Sequence, residues 1–539
     1  MPASWTPCCA VLSSSAGCAC RGPSTCPVIA SCGKPAGHCS SRKHAQGGAV
    51  TELQARVSGR IRLFYGIGSV AEGIKDTAFS VFLLFFYNQV LGLSGSLAGL
   101  AILIALLFDA VSDPLLGAWS DGLRSRWGRR HPFMLAAALP FGLGLWALFA
   151  PPAGLDEPAL FAWLLGFSIL VRLSLTAYSV PSNAMLPEMT PHYDERTELV
   201  ALRFLFGWLA GLGIATFGYF ALFAMQPGGG DGRLSAEAYA RYGATSAVIA
   251  TLGVLLCTWG TRRLIPELKQ RMVERPLRMQ TLQQDLRAVF ANKAFRMLFA
   301  GALCSAAGWG YINATSFYIN TYYWGLSSTQ IGGLSLSLYL GLFIAFAITP
   351  VISRESDKRD AAVRLSLFAL LFGPAPILAA MLGWMPPKGS SDLTIALFLH
   401  TGLLFVALIS VSMLCASMIA DITDQNELQT GQRHEGLLAA VMTFVIKATS
   451  GLGTLLAGVV LDLIAFPGAV VAPSPGGESP TVVVDASTAD ALGAVVALLM
   501  LGLFALSVWC LSRYPLRRDQ HADILVELRR LSSERPVKR

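Results

Sequence analysis

Asp109, Ser112 and Asp113 are the residues of this chain whose types and spacing are best suited to chemistry. Two carboxylates stand four apart, with a hydroxyl between them, at the end of the apolar run Leu100 to Phe108. On a helix, positions i, i+3 and i+4 share one face, with side chains about 6 Å apart. At an effective dielectric of about 20, two like charges at that distance repel by roughly 3 kcal/mol. A proton on one acid, a bound cation or a basic neighbour relieves that repulsion. Two carboxylates plus Ser112 suit a hard cation such as Na⁺, which prefers oxygen ligands. The competing reading is a helix-end pair salt-bridged to the Arg124–Arg130 cluster, with Pro114 and Gly117 marking the exit of the span. A charge at the centre of a bilayer costs roughly 2.5–3.5 kcal/mol on insertion scales, so an intramembrane pair points to an ion or proton site.

The rest of the chain must place that pair in a membrane. Of 539 residues, 54% are hydrophobic and only 14% are charged, with mean hydropathy +0.55. Soluble domains carry about 25% charged residues. The deficit is spread along most of the chain, which reads as an all-α polytopic membrane protein. Twelve apolar segments of spanning length lie near 62–90, 96–120, 132–151, 159–186, 199–225, 243–263, 296–323, 330–352, 363–385, 393–419, 436–465 and 488–512.

Charge orients them. The links after segments 2, 4, 6, 8 and 10 hold Arg124, Arg126, Arg129 and Arg130; Asp194 to Arg196; Arg262 and Arg263 through Arg296; Arg354, Lys358 and Arg359; and Arg433. The tail holds Arg517, Arg518, Arg529 and Arg530, while the opposite links are nearly free of basic residues. This positive-inside pattern places both termini in the cytoplasm of a multi-pass plasma or inner membrane protein. It also accounts for the net charge of +8 without nucleic acid.

The longest charged stretch falls in the middle. The predicted organisation is a leader 1–55, a six-helix half 56–263, a central loop 264–295, a second half 296–515 and a tail 516–539. Six plus six is the layout of the major facilitator fold, two parallel repeats around a midplane site. Ser353 to Arg359 weakly echoes the link from Gly117 to Arg130, and Asp121 beside Arg129 and Arg130 forms a plausible gate latch. Seven of the eleven cysteines (Cys8, Cys9, Cys18, Cys20, Cys26, Cys32 and Cys39) lie in the leader. Their spacing offers no zinc-type pairing, and a disordered leader or an overextended start is expected over a metal or disulfide module.

Several blocks resemble the melibiose permease family, the glycoside–pentoside–hexuronide:cation symporters among the major facilitators. They are Leu63 to Gly68, Phe82 to Ser94, Asp109 to Gly117, Arg124 to Arg129, Ile419 to Glu427, Gly431 to Gly436, and Lys447. The resemblance runs from about 60 to 515. It implies symport coupled to Na⁺, Li⁺ or H⁺, with no other cofactor. The family's cation site is matched by Asp109, Ser112, Asp113 and Thr176. Its coupling lysine is matched by Lys447, and an arginine at the start of segment 5 by Arg203.

The sugar positions depart from the melibiose pattern, carrying Gly73, Ser179, Asn183 and Ser412 where acids and tryptophans are usual. Glu72 and Asp76, four apart on segment 1, are candidate replacements, unless Lys75 pairs locally with Glu72 or snorkels. Lys447 reads either as a fixed salt bridge between the halves or as a coupling group. Trp309, Tyr311, Tyr318, Tyr322, Tyr323 and Trp324 on segment 7 line the site or form packing. Asp421, Asp424 and Glu427 read as a gating cluster facing the basic links of the other half.

The functional expectation is alternating-access symport of a sugar or glycoside-like small solute by a monomer in the lipid bilayer. An amphiphile such as a lysolipid is the alternative solute; an exporter, antiporter or non-transporting receptor is the alternative role. The chain has no Gly-x-x-x-x-Gly-Lys-Ser/Thr loop for an ATP-driven pump and no catalytic constellation for an enzyme.

Overall fold

In hydrocarbon every backbone amide and carbonyl needs an internal partner, so an apolar segment of this length folds as a helix. The computed structural model describes residues 57–534, apart from 124, 191–192, 225–231, 267–286, 288, 431–434 and 468–483. The Cys-rich leader and most of the central loop lie outside the described residues.

The helices of the first half are α1 (59–90), α2 (Gly95–Gly122), α3 (His131–Leu148), α4 (Glu157–Met189), α5 (193–222) and α6 (Ala236–Thr261). Those of the second are α7 (293–323), α8 (Ser328–Glu355), α9 (358–381), α10 (Ser391–Thr430), α11 (Glu435–Leu463) and α12 (Ala486–Ser512). Each predicted segment has its helix. Polar caps set several of the starts. Ser94 accepts from Leu97 N to begin α2, Asp156 from Ala159 N to begin α4, and Ser327 with Gln330 forms a capping box on α8.

Three features differ from the expectation. α10 runs on from the predicted end at 419 to Thr430, so Asp421, Asp424 and Glu427 ride on the helix itself. α9 is divided between Phe372 and Ala375, where Pro374 cannot continue the backbone ladder. The tail folds in part as α13 (Arg518–Glu534), which a hydropathy reading passes over because it is charged.

Among the described residues, nine helices reach the length and hydropathy of a membrane span. The others are α1, interrupted near Gly68 and charged at Glu72, Lys75 and Asp76; α7, rich in small and polar residues; and α11. The outward faces carry Leu107, Leu139, Leu143, Leu371 and Leu399, all exposed, which is a lipid-facing belt.

Packing reveals the repeat. α1 packs on α5 and α6, α2 on α4, and α3 on α4 and α6. Adding six to each number reproduces the second half: α7 on α11 and α12, α8 on α10, and α9 on α10 and α12. The halves meet where α2 packs on α11 and α5 on α8, two contacts that the same operation exchanges. α1 and α7 meet on the pseudo-axis.

At the end remote from the basic links, the seam between halves is tight. A Cβ on Gly458 would lie 2.0 Å from the carbonyl oxygen of Gly95, so α2 and α11 approach as only glycine allows. Beside it, Phe85 of α1 packs against Phe317 of α7, with ring centroids 4.3 Å apart, and Tyr318 and Tyr322 close on Phe466. Tyr311, Tyr318, Tyr323 and Trp324 are therefore packing residues, buried in the core. The half-buried Trp309 and Tyr322 pack against Phe405 and Phe466.

Candidate functional site

α2 presents Asp109 and Asp113, one turn apart, toward α4 and α11. Thr176 of α4 stands between the two acids, its Oγ1 2.5 Å from Asp109 Oδ1 and 2.9 Å from Asp113 Oδ1. Lys447 reaches in from α11, its Nζ 2.9 Å from Asp109 Oδ2 and 2.7 Å from Asp113 Oδ2. Asp109 is buried, whereas Asp113 keeps a quarter of its side chain exposed. The predicted cluster of Asp109, Asp113, Thr176 and Lys447 thus comes together from three helices. Ser112 is the exception: its hydroxyl donates to the Asp109 backbone carbonyl at 3.1 Å, along its own helix.

Arg172, which sequence reasoning missed, completes the cluster. It lies one turn before Thr176 on α4, 1% exposed, with Nη1 3.6 Å from Asp109 Oδ2 and Cζ 5.0 Å above the Phe79 ring. Two acids therefore face two cations, and the repulsion expected of the Asp109/Asp113 pair is relieved by basic neighbours. Of the Arg124–Arg130 cluster, Arg129 and Arg130 close on Glu188 at the end of α4. Arg172 carries a signal that could have found it, a lone arginine four residues before a site threonine inside an apolar run.

A second polar cluster lies on α1, α4 and α5. Arg203 donates to Glu72 Oε1 at 2.7 Å and to Ser182 Oγ at 2.8 Å, over the Tyr65 ring. Lys75 pairs with Asp76, not with Glu72, and is itself buried. The Asp76 side chain is 59% exposed although it sits within α1. A charge so placed in a span is costly against lipid. On α4, Ser179 is half-buried and Asn183 exposed.

At the basic end, Lys358 holds Asp421 with bonds of 2.7 and 2.8 Å, and His521 of α13 meets Asp424 at 3.0 Å. These partners belong to the second half and the tail; the sequence pointed to the basic links of the first half. The Asp121 side chain lies outside the described residues. In the first half, Arg62 bridges to Glu195 at 2.5 Å and to Glu198 at 2.8 Å, tying α1 to α5.

Two repeated six-helix halves meeting at buried opposite charges define a secondary transporter of the major facilitator type. The chain matches the MFS/sugar transport protein family over residues 64–518, and it belongs to that family. It is 26% identical over 557 aligned positions to the uncharacterized symporter sll1374 of Synechocystis sp., covering 87% of this chain and 96% of that protein. It is 25% identical to the isoprimeverose transporter of Lactiplantibacillus pentosus, covering 74% of this chain and 79% of that one. Among solved structures, the xylose transporter XylE from E. coli, in an inward open conformation, superposes with a TM-score of 0.55 at 14% identity, over 87% of this chain and 99% of that one. These relatives are membrane transporters, and this chain is a transporter rather than an enzyme.

Proposed function

We propose that the protein is a cation-coupled symporter of a sugar or glycoside-like solute, working by alternating access. The observation that carries this reading is Lys447: a residue of the second half, bonded to both acids of the first. A cation arriving at Asp109 and Asp113 competes with that ammonium, so occupancy of the pair alters the bond between halves. Coupling of ion binding to rocking of the halves follows from that competition.

The solute binds between the halves, against the exposed carboxylate of Asp76, the Glu72–Arg203 pair, Ser179 and Asn183. Such groups accept from and donate to hydroxyls, which favours a polyhydroxylated solute over an apolar one. Support comes also from the isoprimeverose transporter among its relatives. The basic end with both termini is cytoplasmic, by the distribution of arginine and lysine. Asp121, Arg129, Arg130, Asp421 and Asp424 form the cytoplasmic gate region.

The test is uptake into proteoliposomes under an imposed Na⁺ or H⁺ gradient, with pentosides, glycosides, hexuronides and lysolipids as solutes. Accumulation of a glycoside driven by one gradient, and lost in Asp113→Asn, is the expected result. Accumulation of lysolipid alone overturns the solute class, and gradient-independent equilibration overturns the coupling.

A further inference from the structure

Lys447 and Arg172 both neutralise Asp109, but they belong to different halves. Lys447 sits on α11, and any rocking that opens the α2–α11 seam carries it away from the acids. Arg172 sits on α4, in the same half as Asp109, Asp113 and Thr176, and moves with them. Its guanidinium is always charged. It is 1% exposed, held over the Phe79 ring, and directed at Asp109 Oδ2.

Once Lys447 has left, the pair and Arg172 carry one net negative charge rather than two. A metal ion seated between the carboxylates would share Asp109 Oδ2 with the guanidinium and be repelled by it. Thr176 Oγ1 is engaged with both acids. Ser112 Oγ points along its own helix. On α1, Lys75 is bonded to Asp76 and Glu72 to Arg203. Small alkali cations give up hydration only for a full shell of oxygens and strong negative charge. With Arg172 in place, the negative charge the pair can offer such an ion is halved.

We propose that Arg172 is the selectivity residue of this site: a resident cation that excludes Na⁺ and Li⁺ from the Asp109/Asp113 pair. The proposal deepens the symport reading and rests on it for its consequence, coupling to an ion other than an alkali metal. The exclusion itself is measurable without transport.

The experiment compares thermal unfolding of the detergent-purified full chain in NaCl, LiCl and choline chloride at equal ionic strength and fixed pH. The wild type should show no Na⁺-specific or Li⁺-specific stabilisation. Arg172→Gln should acquire one of several degrees, Arg172→Lys should not, and adding Asp109→Asn to Arg172→Gln should remove it. A purely structural role for Arg172 would not separate the lysine variant from the glutamine variant in this way. Wild-type stabilisation by Na⁺ that Asp109→Asn removes overturns the proposal, whether or not the arginine variants fold. A folded Arg172→Gln protein that gains nothing from Na⁺ or Li⁺ overturns it too. A failure of the symport reading would appear elsewhere, as no gradient-driven solute accumulation in proteoliposomes.

Discussion

The carboxylate of Asp462, at the end of α11, accepts the backbone amide of Gly95, at the start of α2, at 2.9 Å. Its second oxygen takes the Ser96 amide at 2.7 Å. A helix begins with unsatisfied amides and a partial positive charge, and here the other half of the molecule supplies the acid that answers both. The bond spans the seam between halves at the end remote from the basic links. Asp462→Ala removes a cap, a loss of about 1 kcal/mol for interactions of this kind. The first turn of α2 should then exchange its amide hydrogens roughly fivefold faster in lipid nanodiscs, while the interior of α4 is unchanged. Equal protection of Gly95 and Ser96 in the variant would remove the latch.

The glycine seam gives a steric prediction. Gly458→Ala places a Cβ 2.0 Å from the Gly95 carbonyl oxygen, so α2 and α11 must separate there. Uptake should fall at least tenfold while the protein remains folded by circular dichroism. Wild-type uptake in this variant would show that the close approach is not needed in the cycle.

Charge balance around Asp113 predicts a rescue. Lys447→Ala leaves two acids against Arg172, and Asp113→Asn leaves two cations on one acid. Removing one partner of a buried pair costs about 3–5 kcal/mol, because the remaining charge has lost its counter-charge. The double variant should therefore be more stable than either single, with a coupling energy of about 1–3 kcal/mol in a double-mutant cycle. Coupled transport should stay lost in all three. Additive destabilisation would break the proposed link between the halves.

Glu188 holds Arg129 and Arg130 together at the basic end of the first half. Glu188→Gln leaves two adjacent, largely buried guanidiniums without this carboxylate, and should lower the melting temperature by several degrees. Glu188→Asp, which keeps the charge on a shorter stem, should recover part of it. A glutamine variant as stable as wild type would place the arginines' main partner elsewhere.

The sequence by itself determined the spans, the six-plus-six repeat and the identity of the intramembrane acids. Hydropathy and helical spacing are local properties, and a bilayer permits few answers to them. The i,i+4 relation of Asp109 and Asp113 is likewise local, and the structure keeps it. The pairings were decided only by tertiary structure. Lys447 meets Asp113 across 334 positions of sequence, and Thr176 meets it across 63. Local spacing left Glu72, Lys75 and Asp76 open to several pairings, and packing chose Arg203 for Glu72 and Asp76 for Lys75. Arg172, Glu188 and Asp462 were visible as residues but not as partners. Which oppositely charged group a buried side chain meets depends on the helix that packs against it. That choice belongs to the whole bundle, not to any one segment.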